Sequence, residues 1–162
     1  MCPPNSEKIV AIDSQSITYF VEAERNAKPV SLRLQKEYDA VYEIALTYGF
    51  WLLPKVYEEV QKIPDLAKRF KHDQSLIQLF RHTNLEQFHC QIETRTKQLL
   101  DLHSDEDDCR ILAEAEALSA DVLLTVDGKF QKRLKVCART TLVKPSELAI
   151  PVGTRHKFRM EN

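Results

Sequence analysis

The chain has 162 residues, 43% of them hydrophobic and 29% charged, with a formal net charge of −1. This length suits one globular domain with its own hydrophobic core, and this composition excludes an intrinsically disordered chain. The near-neutral charge argues against a domain that binds nucleic acid by bulk positive charge alone, and the three glycines form no phosphate-binding loop motif.

Apolar runs and helical spacing alternate along the first third of the chain. Residues 8–12 form an apolar run that predicts a buried parallel strand, and Asp13-Ser14 behind it is typical of a helix N-cap. Apolar residues recur at helical spacing over residues 33–48 and predict a helix. A second strand is predicted over residues 50–53, followed by a short helix over residues 55–62.

The rest of the chain begins with a helical region and then returns to strands. Residues 63–102 predict an all-helical insert between sheet elements. Acidic residues, which suit the first turn of a helix, open the strong helical pattern of residues 105–118. Strands are then predicted over residues 121–125 and 140–143, with a helix over residues 129–134 between them.

This order of elements predicts an α/β fold, in which a parallel sheet is covered by helices on both faces. We expect one domain over residues 1–150 and a polar, frayed C-terminal tail over residues 151–162. The start shows no signal-peptide pattern, no apolar run could span a bilayer, and none of the four cysteines lies in a C-x-x-C pair. We therefore expect a cytoplasmic protein with reduced thiols and no membrane contact.

Four acidic residues occupy positions that such a fold brings to one edge. Asp13 follows the first strand and Asp127 follows the third, and the carboxyl ends of parallel strands share an edge. Asp108 lies in the first turn of the helix before the third strand, and Glu59 lies on the short helix after the second. Clustered carboxylates repel one another unless a cation neutralises them, and Mg²⁺ and Mn²⁺ prefer oxygen ligands. The pattern therefore predicts a divalent metal site.

Four segments resemble a known protein family. Residues 108–115 and 120–130 are similar to the C-terminal half of a PIN domain, in which a helix-start Asp is followed by a later T-x-D turn. Residues 10–14 are similar to the opening strand and first Asp of that family, and residues 56–60 are similar to its second acidic segment. The resemblance implies a PIN-like three-layer sandwich with a central parallel sheet flanked by helices, and the activity of a metal-dependent ribonuclease.

The resemblance also implies roles for particular residues. Asp13, Glu59, Asp108 and Asp127 would be the metal ligands and catalytic residues, with Glu59 preferred to its neighbour Glu58. The cofactor would be Mg²⁺ or Mn²⁺, and a metal-activated water would hydrolyse the phosphodiester of an RNA substrate. Proteins of this family occur in toxin–antitoxin pairs, so an antitoxin protein and a second copy of the chain are candidate partners.

Hydroxyl and basic residues near the acids are secondary candidates. Ser14 and Thr125 could orient a ligand or phosphate, or could be only a capping Ser and a strand-end Thr. Lys129, Lys132 and Arg133 could steer an RNA backbone toward the acids, or could form a solvated helix face. We expect ordinary structural roles for the histidines.

Other interpretations of the acids stay open. Asp13 could be only a helix cap and Asp127 only a turn former. Asp108 could be a surface acid that suits the helix dipole, and Glu59 a solvated helix residue.

Two departures from the PIN pattern favour an alternative function. Gln15 stands where the family often has Asn, and Lys129 stands where it often has a second Asp. The alternative is a PIN-like module that binds RNA or protein without catalysis. A third idea, an acid phosphatase or a response-regulator-like receiver, has less support because Gln15 replaces the second acid expected two residues after Asp13.

Overall fold

A computed structural model describes residues 8–25, 28–29 and 31–148 of the chain. The strands are β1 (Val10–Ile12), β2 (Phe50–Leu52), β3 (Phe80–His82), β4 (Val122–Leu124) and β5 (Thr141–Val143). The α-helices are α1 (Ser14–Glu24), α2 (Leu32–Tyr48), α3 (Pro54–Gln61), α4 (Leu66–Leu79), α5 (His89–Leu100), α6 (Glu106–Ala117) and α7 (Gly128–Leu134). Glu86–Phe88 and Pro145–Glu147 form short 3₁₀ helices. The predicted tail over residues 151–162 lies outside the described residues.

The five strands form one parallel sheet in the order β3-β2-β1-β4-β5. The chain winds from β1 through β2 to β3 on one side, then crosses back to β4 and continues to β5. Because parallel crossovers are right-handed, the helices that connect β1 to β2 and β3 cover one face of the sheet. The helices that lead to β4 and β5 cover the opposite face. Accordingly, α1 packs against α2 and α4, whereas α5 packs against α6. The predicted α/β class and three-layer sandwich with a central parallel sheet are confirmed.

The two central strands are buried on both faces. Every residue of β1 and β4 is buried, which explains why both appear in the sequence as continuous apolar runs rather than as alternating patterns. Ile17 of α1, Leu112 of α6 and Phe130 of α7 pack into the same core. The segments that follow β1 and β4 are therefore attached to the most deeply buried part of the sheet.

The winding of the sheet reverses between β1 and β4. β1 connects toward β2 on one side and β4 connects toward β5 on the other, so a crevice lies between their carboxyl ends. Open α/β sheets bind ligands at such a topological switch point. The Asp13 N–H donates to Leu124 O at 3.0 Å, which ties the first residue after β1 to the end of β4.

The prediction of an all-helical insert over residues 63–102 is wrong at β3. Helix α4 leads directly into this strand, which pairs with β2 so that His82 lies opposite Leu52. β3 is an edge strand, and Arg81 and His82 are exposed while Phe80 is buried. This edge strand lacks the apolar run that marks β1, β2 and β4. No helix among the described residues has both the length and the apolar character needed to cross a membrane.

Candidate functional site

Asp13 is buried at the carboxyl end of β1 and caps helix α1. Its Oδ1 accepts the Ser16 N–H at 2.7 Å, and only 5% of the residue is exposed. Burial raises the pKa of Asp13 to about 6, and repulsion from Asp108 adds to the rise. Hydrogen bonds from Ser16 and Thr125 act in the opposite direction. An ionised carboxylate in this position is unfavourable unless a positive charge compensates it.

Asp127 lies three residues after β4 and caps helix α7. Its Oδ1 accepts the N–H groups of Lys129 at 2.7 Å and Phe130 at 3.0 Å. Its own N–H donates to the Thr125 hydroxyl at 3.1 Å. Because buried Thr125 also hydrogen bonds to Asp13, this residue links the segments that follow β1 and β4. In the described part of the chain, Asp127 Oδ2 makes no hydrogen bond and is available to a ligand.

Asp108 is held by a buried histidine. The Nε2–H of His103 donates to Asp108 Oδ2 at 2.7 Å, and only 7% of the imidazole side chain is exposed. The imidazole also stacks on Phe130, with ring centroids 6.1 Å apart and planes 9° apart. Phe130 lies in the first turn of α7, three residues after its N-cap Asp127. His103 therefore contacts Asp108 through one edge of its ring and the start of α7 through its face.

Glu59 lies half-buried on α3 and adjoins the same crevice. Burial raises its pKa, and repulsion from Asp13 adds to the rise, whereas a hydrogen bond with Ser14 lowers it. Ser14 is the first residue of α1, so this contact places Glu59 beside Asp13. The neighbouring Glu58 pairs instead with Lys55 of α3 and with Lys62, which follows the last residue of that helix. Glu59 therefore adjoins the crevice, whereas Glu58 is turned toward the lysines.

The four predicted acids are neighbours around the crevice in an open arrangement. Asp13 is repelled by Asp108, and Glu59 is repelled by Asp13. The pKa of Asp108 is raised first by its burial, and repulsion from Asp127 contributes to the rise. Across residues 8–25, 28–29 and 31–148, however, no group of three or more His, Cys, Asp or Glu side chains is arranged to hold a metal ion.

The donor chemistry of this crevice suits a hard divalent cation. Carboxylate oxygens are the ligands that Mg²⁺ and Mn²⁺ prefer, and Mg²⁺ in proteins is commonly held by one or two carboxylates while it keeps several waters. A cation would also relieve the burial and repulsion that raise the pKa values of Asp13, Glu59 and Asp108. The residues therefore fit a hydrated ion better than a closed cage of protein ligands.

A buried lysine supplies a fixed positive charge beside the acids. Lys55, in the first turn of α3, pairs through Nζ with Asp107 at 2.7 Å and with Glu58 at 3.3 Å, and 10% of its side chain is exposed. The positive charge of Lys55 partly offsets the rise in the pKa of Glu59 that burial causes. Asp107 precedes Asp108, so the ion pair ties the start of α6 to the start of α3 and fixes the relative positions of two acid-bearing helices.

The residues predicted to contact RNA lie on α7 and are exposed. Lys129, Lys132 and Arg133 belong to the helix that Asp127 caps, so their side chains extend from the crevice along one element. These three residues form a local positive patch on a chain whose formal net charge is only −1. This placement is suitable for holding a phosphate backbone near the acids.

Comparisons with models of known protein families and with curated proteins found no match to this chain. The case for a function therefore depends on the geometry of the crevice and on the resemblance of its segments to the PIN family.

Two residues of the crevice, His103 and Lys55, were not predicted from the sequence pattern. His103 precedes Asp108 by five residues across a helix start, which is not the spacing of a metal or catalytic motif. Lys55 precedes Glu58 by three residues, and this spacing indicates a surface ion pair rather than a buried charge. Their roles depend on packing between elements, which sequence spacing does not reveal.

Proposed function

We propose that this protein is a metal-dependent endoribonuclease that hydrolyses RNA phosphodiesters. The observation that carries the proposal is the buried carboxylate of Asp13 at the switch point of the sheet, with Glu59, Asp108 and Asp127 around it. Such a crevice is electrostatically unfavourable until a cation enters it. The PIN-like segments, which include all four acids, supply RNA as the substrate class.

A bound Mg²⁺ or Mn²⁺ would supply an activated water and neutralise charge on the phosphodiester. Asp13 and Asp108 are the acids best placed to hold it, since one is anchored as a helix cap and the other by His103. Asp127 and Glu59 approach from the two sides of the crevice and complete the negative field that attracts the ion.

Hydrolysis in this proposal passes through no covalent intermediate. Cys109, which follows Asp108, is buried, and burial raises the pKa of its thiol to about 11. A thiol of that kind is not a nucleophile at neutral pH. The exposed lysines and arginine of α7 bind the RNA backbone, and the acidic crevice accepts the scissile phosphate together with the cation.

Cleavage of single-stranded RNA with and without added Mg²⁺ or Mn²⁺ tests this function. We expect the wild-type protein to cleave only in the presence of metal. Asp13→Asn and Asp108→Asn should each reduce the rate at least about 100-fold, because substitutions of outer-shell partners alone cost about 10–100-fold. Cleavage that needs no metal, or that survives both substitutions, would overturn the proposal.

Glu58→Gln provides the matched control for these variants. Glu58 lies next to Glu59 but is half exposed and pairs with lysines, so its substitution should leave cleavage within about twofold of wild type. Glu59→Gln should instead reduce the rate. An equal loss in both variants would show that the charge of α3, rather than the crevice acid, is what matters.

A second candidate function is a PIN-like module that binds RNA or protein without catalysis. The open arrangement of the acids favours it, since no three of them in the described ranges are arranged around one ion. It predicts RNA or protein binding that is indifferent to metal, and a melting temperature that Mg²⁺ and Mn²⁺ leave unchanged, because a ligand that binds only the folded state raises stability.

A further inference from the structure

A separate cavity lies beside the acidic crevice, at the carboxyl ends of β2 and β3. Its volume is about 420 Å³, which is within the range of roughly 300–1,000 Å³ typical of small-ligand sites. Buried Leu85 and Ile92 form an apolar wall. The polar and charged side chains of the lining are Thr83, Asn84, Glu86, His89, Arg110 and Glu114. An apolar wall combined with convergent polar groups is the composition expected of a binding site.

Arg110 presents a guanidinium group to this cavity that is fixed on one side and open on the other. Its Nε donates to the buried carboxylate of Glu114 at 3.3 Å. In the described residues its two terminal nitrogens have no hydrogen-bond partner, and 34% of the side chain is exposed. The planar fork is therefore oriented in advance toward a ligand that offers two adjacent acceptors.

The loop that forms the other wall is anchored at two points. The Thr83 hydroxyl donates to Leu52 O at 2.7 Å, which ties the loop after β3 to the end of β2. Asn84 Oδ1 accepts the Glu86 N–H at 3.0 Å, so the amide of this side chain is held in one orientation. The cavity is thus bounded by an anchored loop on one side and by α6 on the other.

The cavity and the acidic crevice are adjacent along α6, and Lys55 packs against the helix between them. Asp107, Arg110 and Glu114 follow one another at steps of three and four residues, which places them on one face of the helix. Lys55 spans this face, since its Nζ pairs with Asp107 and its backbone N–H donates to Glu114 at 2.8 Å. Arg110 follows Asp107 by three residues, a rise of about 4.5 Å along the helix axis. A nucleotide next to a phosphate in the crevice is within reach of the cavity.

We propose that this cavity is a subsite for an unpaired guanine beside the scissile phosphate, a proposal that rests on the endoribonuclease function above. Arg110 donates two hydrogen bonds to O6 and N7 of the guanine, the pair of acceptors that arginine reads most often in nucleic acids. The base packs its ring against Leu85 and Ile92. Single-stranded RNA is the substrate class, because a base must be splayed out of a helix to enter a cavity of this kind.

Binding of short RNA oligomers to the metal-free protein tests the subsite without cleavage. Fluorescence anisotropy would compare an oligouridine that contains one guanine with the same oligomer carrying 7-deazaguanine, which lacks N7, or adenine, which lacks the O6 acceptor. We expect each replacement to weaken binding about tenfold. Equal affinity for the three oligomers, or no binding of the guanine oligomer, would overturn the subsite.

Substitutions of Arg110 separate base recognition from charge. Arg110→Gln should abolish the difference between guanine and 7-deazaguanine. Arg110→Lys should reduce this difference while it retains most of the overall affinity, because lysine keeps the charge and loses the planar, preorganised pair of donors. Arg139→Gln is the matched control: it removes the same charge from an exposed residue at the opposite edge of the sheet, just before β5. This control should keep the full tenfold difference.

Cleavage assays distinguish failure of the subsite from failure of the nuclease function. Guanine-dependent binding by a protein that cleaves no RNA would overturn the nuclease and leave the subsite in place. Metal-dependent cleavage that is equally fast beside every base, in both wild type and Arg110→Gln, would overturn the subsite and leave the nuclease.

Discussion

Asp13 combines two roles that make opposite demands on one carboxylate. As the N-cap of α1 it must present an oxygen to the Ser16 N–H, and as a buried acid it has lost most of its hydration. The first role favours the ionised group and the second favours the protonated one, and burial dominates, since the pKa is raised to about 6. The negative charge on Asp13 that would bind a cation therefore destabilises the metal-free fold.

The raised pKa of Asp13 predicts how Asp13→Asn alters stability with pH. Because the folded pKa of about 6 exceeds the usual value of 3.8, ionisation destabilises the fold progressively as pH rises through this interval and fully above it. Asparagine stays uncharged and still caps the helix. In metal-free buffer at pH 7.5 the variant should be more stable, by at most about 3 kcal/mol, since a tenfold change in proton affinity corresponds to about 1.4 kcal/mol.

Urea denaturation of both proteins from pH 4 to pH 8 measures this difference. The advantage of Asp13→Asn should be largest above pH 6.5 and should shrink steadily toward pH 4, because Asp13 is then protonated in the folded state and is becoming protonated in the unfolded state. A difference in the free energy of unfolding that does not depend on pH would show that the charge of Asp13 does not destabilise the fold.

His103 is a positioning residue whose two contacts can be separated by substitution. His103→Phe keeps a ring against Phe130 but removes the donor to Asp108, whereas His103→Gln keeps a donor and removes the ring stacking. We expect His103→Phe to weaken Mn²⁺ binding about 10–100-fold, as is typical when the partner of a metal ligand is lost. His103→Gln should be affected less. If Gln weakens binding as much as Phe does, the hydrogen bond is not the contact that matters.

At the scale of elements, the buried central strands and the edge strand β5 were predictable, whereas the edge strand β3 was not. β1 and β4 are buried on both faces and stand out as apolar runs, whereas β3 has two exposed polar residues and follows α4 without a Gly or Pro between them. The strand exists because β2 offers an open edge next to it. Pairing of this kind is a property of the assembled sheet and is absent from the local pattern.

The ion pair between Lys55 and Asp107 is expected to fix α3 relative to α6. Lys55→Met keeps the aliphatic stem and removes the charge. We expect it to lower the free energy of unfolding by about 1–2 kcal/mol, less than the roughly 3–5 kcal/mol of a fully buried pair, because Asp107 is partly exposed. Chemical denaturation at neutral pH provides the measurement.

Lys62→Met, at the C-cap of the same helix, is the natural control. Lys62 also pairs with Glu58, but 64% of its side chain is exposed, so its loss should alter stability by less than about 0.5 kcal/mol. Equal effects of the two substitutions would contradict the structural role assigned to the buried lysine.

At the scale of the whole molecule, the order of the strands determines where the site lies. The sequence indicates that Asp13 and Asp127 each follow a strand, but it does not indicate that β1 and β4 are adjacent or that the winding reverses between them. Adjacency of parallel strands depends on long crossover connections, which leave no local signal. The positions of the acids were therefore predictable from the sequence, whereas the crevice and the open spacing of the acids in it were not.

The central claim is that the acids of this crevice together bind a divalent cation, and direct titration with Mn²⁺ tests it. Electron paramagnetic resonance measures the free aqueous ion, whose signal falls as the protein binds it. We predict saturable binding to wild type and to Glu58→Gln, and binding at least about tenfold weaker in Asp13→Asn and Asp108→Asn. Absence of binding to the wild-type protein, or equal binding to all four proteins, would contradict the claim.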